Sequence, residues 1–292
     1  MNKHTGVFPA LLTPFTAEGR INDKELERLI AYNIKKGVAG FYVNGSTQEA
    51  FLLREEERRH IYRLVKEICG DRVTLYAHIG CVSTEEAISY GHLATELGYD
   101  AVSAVAPFYY KFSVGEIKQH YRMIAKAVEL PLILYNIPAF SGVSLTFDDF
   151  AELLEDDKMI GVKYISADHF MLQRLCAAFP HKCFFNGYDE TFAAGLIMGV
   201  GGGIGSTYNF MAEKYIKIMQ LHKEGKMPEA FAIQQECNRI LDILVRPDVG
   251  IMEGEKEIMT QMGFDFGPAR SPFATLSDEV KALIRTEIVD RL

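Results

Sequence analysis

The chain has 292 residues, 48% of them apolar and 24% charged, with a formal net charge of −8. That length suits one large domain, or a barrel with an appendage, whose core needs no disulfide or metal staple. The acidic balance, without a basic stripe, argues against nucleic acid or an anionic membrane as partner, but leaves room for an anionic small molecule in a locally positive site.

Five cysteines (Cys69, Cys81, Cys176, Cys183 and Cys237) are dispersed, with no C-x-x-C pair. An odd, scattered set reads as reduced, buried thiols in a reducing compartment. The first residues lack a signal-type apolar core, and no apolar run reaches the ~18 residues of a membrane span. A cytoplasmic protein is the expectation.

Short apolar runs alternate with helix-period stretches up to about residue 224. The runs at 7–12, 40–43, 74–79, 101–105, 132–135, 160–163, 183–186 and 202–205 read as strands. Ser83-Thr84-Glu85-Glu86 and Ser113-Val114-Gly115-Glu116 have the spacing of a capping box, and Thr146-Phe147-Asp148-Asp149 repeats it more weakly. Strands that alternate with helices predict a parallel sheet. Eight such units fit a closed (β/α)8 barrel better than an open doubly wound sheet, and no G-x-G-x-x-G follows the first strand. Gly201-Gly202-Gly203 is read as a tight strand turn that helps close the barrel. Past residue 225 the strand signal stops; 227–245, 254–262 and 277–291 read as helices, punctuated by Pro247, Pro268 and Pro272. The expected organisation is therefore a barrel over 1–224 and a helical extension over 225–292 packed on it.

Lys163 is the strongest chemical signal. It ends the run Met159-Ile160-Gly161-Val162-Lys163, and strand alternation sets Ile160 and Val162 against the helices and Gly161 and Lys163 inside. An interior lysine is costly unless paired or used, and burial frees its amine as a nucleophile. The plainer alternative is a lysine leaving a strand end for solvent. Tyr135, in Tyr135-Asn136-Ile137-Pro138, also closes a strand and could shuttle a proton through its phenol; equally, it could be a core residue with a wet hydroxyl.

Gly45-Ser46-Thr47-Gln48-Glu49 links a strand to a helix, where Ser46, Thr47 and nearby N–H groups could hold a carboxylate or merely cap the helix. Asp189 and Glu190 follow the seventh strand; they could accept hydrogen bonds from a polyol, cap a helix or bind a metal. Ser206 and Thr207 follow the eighth. His78 reads as a satisfied core residue, and Glu55-Glu56-Glu57 with Arg58-Arg59 as a solvated helix face. The eight histidines show no metal-ligand pattern, so no metal is expected. What raises these signals together is convergence: Ser46, Tyr135, Lys163, Asp189 and Ser206 each fall at or just past the C-terminal end of a different strand, the face that carries (β/α)8 active sites.

These motifs, with Thr13-Pro14-Phe15, Pro107-Phe108-Tyr109-Tyr110 and Gly205-Ser206-Thr207-Tyr208-Asn209, resemble the family of pyruvate-dependent class I aldolases that contains dihydrodipicolinate synthase and N-acetylneuraminate lyase. The likeness spans essentially the whole chain and lies nearer the sialic-acid lyases. Phe140 stands where the synthase carries an arginine for a second carboxylate, and Asn186-Gly187-Tyr188-Asp189-Glu190 matches the lyase pattern for the sugar tail. The resemblance implies that Lys163 forms a Schiff base with a 2-keto acid, Tyr135 moves the proton, and Ser46 and Thr47 hold the carboxylate. Ile165, Gly187, Asp189, Glu190 and Ser206 would line the tail. Tyr109 would reach a neighbouring subunit's site in a homotetramer. No cofactor beyond the covalent imine is implied.

Two positions depart from the family pattern. Gln48 replaces the second glycine of Gly-Ser-Thr-Gly-Glu, and Ile165 replaces a threonine. The expected activity is cleavage of N-acetylneuraminate to pyruvate and N-acetylmannosamine. Its rivals are an aldolase for another 2-keto-3-deoxy sugar acid, favoured by Ile165, and a non-catalytic pyruvate- or sugar-binding barrel, favoured by Gln48 alone.

Overall fold

The computed structural model describes residues 3–292. Eight parallel strands follow one another in a single sheet: β1 (Gly6–Pro9), β2 (Gly40–Val43), β3 (Thr74–His78), β4 (Ala101–Val105), β5 (Leu132–Asn136), β6 (Met159–Tyr164), β7 (Cys183–Asn186) and β8 (Gly202–Gly205). Regular ladders join all neighbours except β1 and β2. There Ala39 N donates to Val7 O (3.0 Å) and Leu11 N to Tyr42 O (3.1 Å), which closes the barrel. The expected (β/α)8 barrel is the observed fold.

The helices between the strands are α1 (Asp23–Lys36), α2 (Glu55–Cys69), α3 (Thr84–Leu97), α4 (Val114–Ala127), the single turn α5 (Pro138–Ser141), α6 (Phe147–Leu154), α7 (His169–Ala178), α8 (Phe192–Met198) and α9 (Tyr208–Lys223). Their starts follow the sequence signals. Ser113 and Glu116 form a reciprocal capping box, and so do Thr146 and Asp149, the weaker-looking pair. Ser83 caps α3 through Glu86 N, while the Glu86 carboxylate accepts from Tyr90 Oη instead (3.0 Å).

Apolar burial splits into two shells, as a barrel demands. The outer shell lies between sheet and helices and includes Leu132, Leu134 and Val162. The inner one fills the barrel with Phe8, Tyr42, Tyr76, Ile133, Tyr135 and Phe185 among others. The strand phase expected for β6 fails at one residue. Ile160 packs against the inner shell, because the β5–β6 register skips it: Leu132 pairs with Met159 and Ile133 with Gly161. This extra residue is a β-bulge, which resets the alternation; from Gly161 onward the phase is as expected and Lys163 points inward.

The glycines of β8 make room rather than a turn. A Cβ on Gly202 would stand 2.0 Å from Gly6 O, and one on Gly205 would stand 1.9 Å from Asp189 Oδ1. Beyond the barrel lie α10 (Met227–Leu244), α11 (Ile251–Gln261) and α12 (Asp278–Glu287). No helix among the described residues is long and apolar enough to cross a membrane.

Candidate active site

At the C-terminal mouth of the barrel, Lys163 is 3% exposed. Its Nζ lies 4.1 Å from the centre of the Tyr42 ring and 4.2 Å from that of Tyr135. The surrounding aromatic wall explains the electrostatics: burial pulls the amine down to about 7, against the opposing pull of Asp189. A large fraction of Lys163 is thus an uncharged amine near neutral pH.

Tyr135 is buried beside it, edge-on to Tyr42 (6.0 Å between ring centres) and to His78 (5.5 Å). Burial pushes its phenol up to about 12, and a hydrogen bond with Ser46 works the other way. Tyr42 Oη donates to Ser103 Oγ (3.0 Å). His78 bonds Asn44 O through Nδ1 (2.7 Å) and accepts Val105 N–H at Nε2 (3.4 Å). These partners require the Nδ1–H tautomer, and burial, seconded by Arg58, holds the ring down to about 3 and hence neutral. His78 is the satisfied core residue expected, and a wall for Tyr135.

Ser46 and Thr47 open a 3₁₀ turn, Ser46–Gln48, whose cap is Gly45 and not a side chain. Such a turn presents its first N–H groups outward. Gly45 is required because a Cβ would stand 2.8 Å from the Tyr42 ring. Gln48 does not crowd the site. It is wholly buried, and its Oε1 turns back to accept Asn44 N–H, where φ is +59°. Thr13 Oγ1 holds Gln48 O from below (2.7 Å).

Across the mouth, Asp189 Oδ2 accepts both Thr207 N (2.8 Å) and Thr207 Oγ1 (2.6 Å), while Oδ1 is buried without a hydrogen-bond partner. Burial raises this carboxyl to about 6, against the Thr207 hydrogen bonds. Ile165 is buried in the inner shell, and a Cβ on Gly187 would meet Ile165 Cγ1 at 2.1 Å. Glu190 is exposed at the rim. Ser206 Oγ donates to Glu255 Oε1 of α11 (2.6 Å).

Tyr109 does not join this cluster. It is 87% exposed, with a left-handed φ of +78°, and touches Tyr110 (5.1 Å between ring centres). Phe140, also exposed, helps line a cavity of about 320 Å³ beside Ser46, with Phe51, Phe108, Pro272 and Phe273. The wall is apolar where a second carboxylate would need a cation.

Sequence reasoning missed several residues. Tyr42 escaped because every residue of β2 is buried, so no polar alternation betrays which side faces inward. Thr207, placed after the eighth strand without a role, holds Asp189 through its N–H and its hydroxyl. Glu57 and Arg58, expected on a solvated face, are buried: Arg270 binds Glu57 through two nitrogens (2.7 and 2.8 Å), and Arg58 donates to His78 O and Gly80 O. Among the described residues no cluster of three or more His, Cys, Asp or Glu is placed to hold a metal ion.

Comparison with known proteins agrees with this geometry. The chain is 41% identical over 292 residues to an N-acetylneuraminate lyase of an Enterobacter species, covering 98% of both chains. The CdNal structure from Clostridium difficile, solved in complex with mannosamine, superposes with a TM-score of 0.94 at 38% identity over 98% of each chain. A catalytic-lysine mutant of the Ruminococcus gnavus sialic acid aldolase gives 0.94 at 32% identity, over 99% of this chain and 97% of that one. The model of the dihydrodipicolinate synthetase family matches residues 3–290, and the chain belongs to that family.

Proposed function

We propose that this protein is a class I aldolase, a carbon–carbon lyase that cleaves N-acetylneuraminate to pyruvate and N-acetylmannosamine through an imine on Lys163. The observation that carries the reading is the amine itself: inward-facing, walled by two tyrosine rings, and held near 7 by burial. The free amine attacks the C2 ketone, and loss of water leaves an iminium. That cation is the electron sink for the C3–C4 bond pair. As the bond breaks, Tyr135 accepts the C4 hydroxyl proton while its own moves along its hydrogen bond to Ser46. The Ser46 hydroxyl proton passes in turn to the substrate carboxylate it holds, and that proton is the one later returned to the enamine carbon. N-acetylmannosamine leaves, and the enamine is protonated and hydrolysed to pyruvate.

Ser46 and Thr47 hold the pyruvyl carboxylate with hydroxyls and the N–H groups of the turn. The free Asp189 Oδ1, Glu190, Ser206 and the backbone at Gly187 take the sugar tail. The iminium does the polarising work of a Lewis acid, so the reaction needs no metal or organic cofactor, and activity is expected to survive exhaustive chelation. Loss on chelation, with recovery on adding one divalent metal, would count against the mechanism. The exposed Tyr109 supports assembly as a homotetramer with that ring reaching a partner's site, and the five free cysteines suit the cytoplasm.

The direct test is borohydride reduction with pyruvate, followed by peptide mass spectrometry. The adduct is expected on Lys163; an adduct elsewhere, or none, sinks the reading.

Ile165 is the one lining residue whose chemistry favours another 2-keto-3-deoxy acid, since an apolar wall suits a deoxygenated carbon. Ile165→Thr is expected to raise kcat/KM for sialic acid by less than about tenfold, one neutral hydrogen bond being worth ~1 kcal/mol. If it lowers the rate on sialic acid, the side chain already fits that substrate better than a hydroxyl would.

A further inference from the structure

Helix α11 lies outside the eight strand–helix units, yet two consecutive residues of it, Glu255 and Lys256, are 0% and 1% exposed. Neighbouring helical side chains diverge by ~100°, so they reach different strand ends. Glu255 Oε1 accepts the Ser206 hydroxyl at the end of β8 (2.6 Å). Lys256 Nζ lies 2.5 Å from Glu49 Oε1, and the other Glu49 oxygen accepts Arg270 N–H (2.6 Å). Glu49 ends the Ser46–Gln48 turn in the left-handed region, at φ +58°.

Burying an ion pair and a carboxyl side by side is expensive, and apolar side chains of like volume would often serve stability as well or better. The bonds formed have a consequence at the mouth. A serine hydroxyl has one proton. With Glu255 taking it, Ser206 Oγ meets the substrate only as an acceptor, and selects a donor hydroxyl or N–H on the tail. Burial raises the Glu255 carboxyl above its ordinary range, and the hydrogen bond from Ser206 works against that rise, as a donor to the carboxylate does.

We infer that α11 is a positioning element of the site, with Glu255 fixing Ser206 as an acceptor for the sugar tail and Lys256 fixing, through Glu49, the turn that takes the keto-acid carboxylate. The inference rests on the aldolase reading.

Two readouts test it: KM for N-acetylneuraminate, and the pyruvate concentration that half-saturates borohydride trapping. Glu255→Met keeps length and volume but removes the acceptor. It is expected to raise KM for the sugar acid about tenfold, the scale of a hydrogen bond to a carboxyl group, with pyruvate trapping unmoved. Glu255→Gln, which retains an acceptor oxygen, should restore KM to within about threefold of wild type, a neutral bond replacing the original. The charge-neutral pair Glu49→Gln with Lys256→Met is expected to weaken pyruvate trapping and sugar-acid KM together, both through the carboxylate.

If Glu255→Met shifts both readouts equally, or neither, Glu255 does not act through Ser206. Failure of Glu255→Met to fold while Glu255→Gln folds would likewise make it a purely structural residue. Unchanged trapping in the paired variant, or its failure to fold, removes the Lys256 arm. Wild-type protein that is not trapped at Lys163 overturns the aldolase reading itself, which separates the two failures.

Discussion

Lys163→Met is expected to abolish turnover and, at the same time, to make the folded protein more resistant to heat. The first effect follows from chemistry. No thioether can form an imine, and deleting a covalent nucleophile costs rate on the order of 10⁵-fold or more. Lys163→Arg should not rescue it, because a guanidinium stays protonated and is not nucleophilic near neutral pH. In wild type, attack on the ketone needs the uncharged amine. With the amine near 7, trapping rates should climb as pH rises through 7 and level off above it.

The second effect follows from the same burial. In the unfolded chain the amine binds its proton up to about 10.4, so below 7 both states carry the charge and only the folded one must bury it. The penalty is therefore fully present below pH 7 and fades as pH rises toward the unfolded value. The melting temperature of Lys163→Met should exceed that of wild type most clearly at pH 6, and the gap should shrink by pH 10. A variant less stable than wild type at pH 6 would mean that the rings of Tyr42 and Tyr135 stabilise the cation more than burial penalises it.

The part of this site that was legible in the sequence is the part whose chemistry is anomalous for its place. A lysine and a tyrosine closing successive apolar strands each have a plainer reading alone, but together they point to one face, and both proved to face inward side by side. The barrel was legible for a different reason: short apolar runs recur between helical stretches, and the closure of eight such units needs no long-range information. The phase of Ile160 was not legible, because a β-bulge inserts one residue without any change of residue type. Glu57 and Arg58 misled for an electrostatic reason. A run of charges reads as solvated, but the bidentate bond from Arg270 to Glu57 compensates burial from 213 positions away. The same blindness hid Glu255 and Lys256, whose partners sit on strand ends that only the closed barrel brings near. Gln48 shows the converse: a departure from the family pattern turns its side chain back from the turn, where its Oε1 accepts Asn44 N–H.

Tyr135→Phe is the substitution that separates the two halves of the reaction. The ring should keep its place, since Tyr42 and His78 hold it edge-on and Lys163 lies against its face, none through the hydroxyl. Pyruvate trapping on Lys163 should therefore stay within a few-fold of wild type. Cleavage should not. The phenol sits at about 12, so near neutral pH it is a neutral hydroxyl and not a standing base. It can accept the C4 proton only by releasing its own, and its hydrogen bond to Ser46 supplies the exit, the Ser46 proton moving on to the substrate carboxylate. Removing the oxygen removes both ends of that relay, and positioned proton transfer typically accounts for ~10²–10⁴-fold in rate. Ser46→Ala leaves the phenol without that exit and also weakens the carboxylate turn, so it should slow cleavage less than Tyr135→Phe while raising the pyruvate needed for trapping. Rapid-quench measurement of sugar release, set beside trapping, reads the two steps apart. Near-normal release by Tyr135→Phe would assign the proton to another group, and an equal loss of trapping and release would place Tyr135 in imine formation instead.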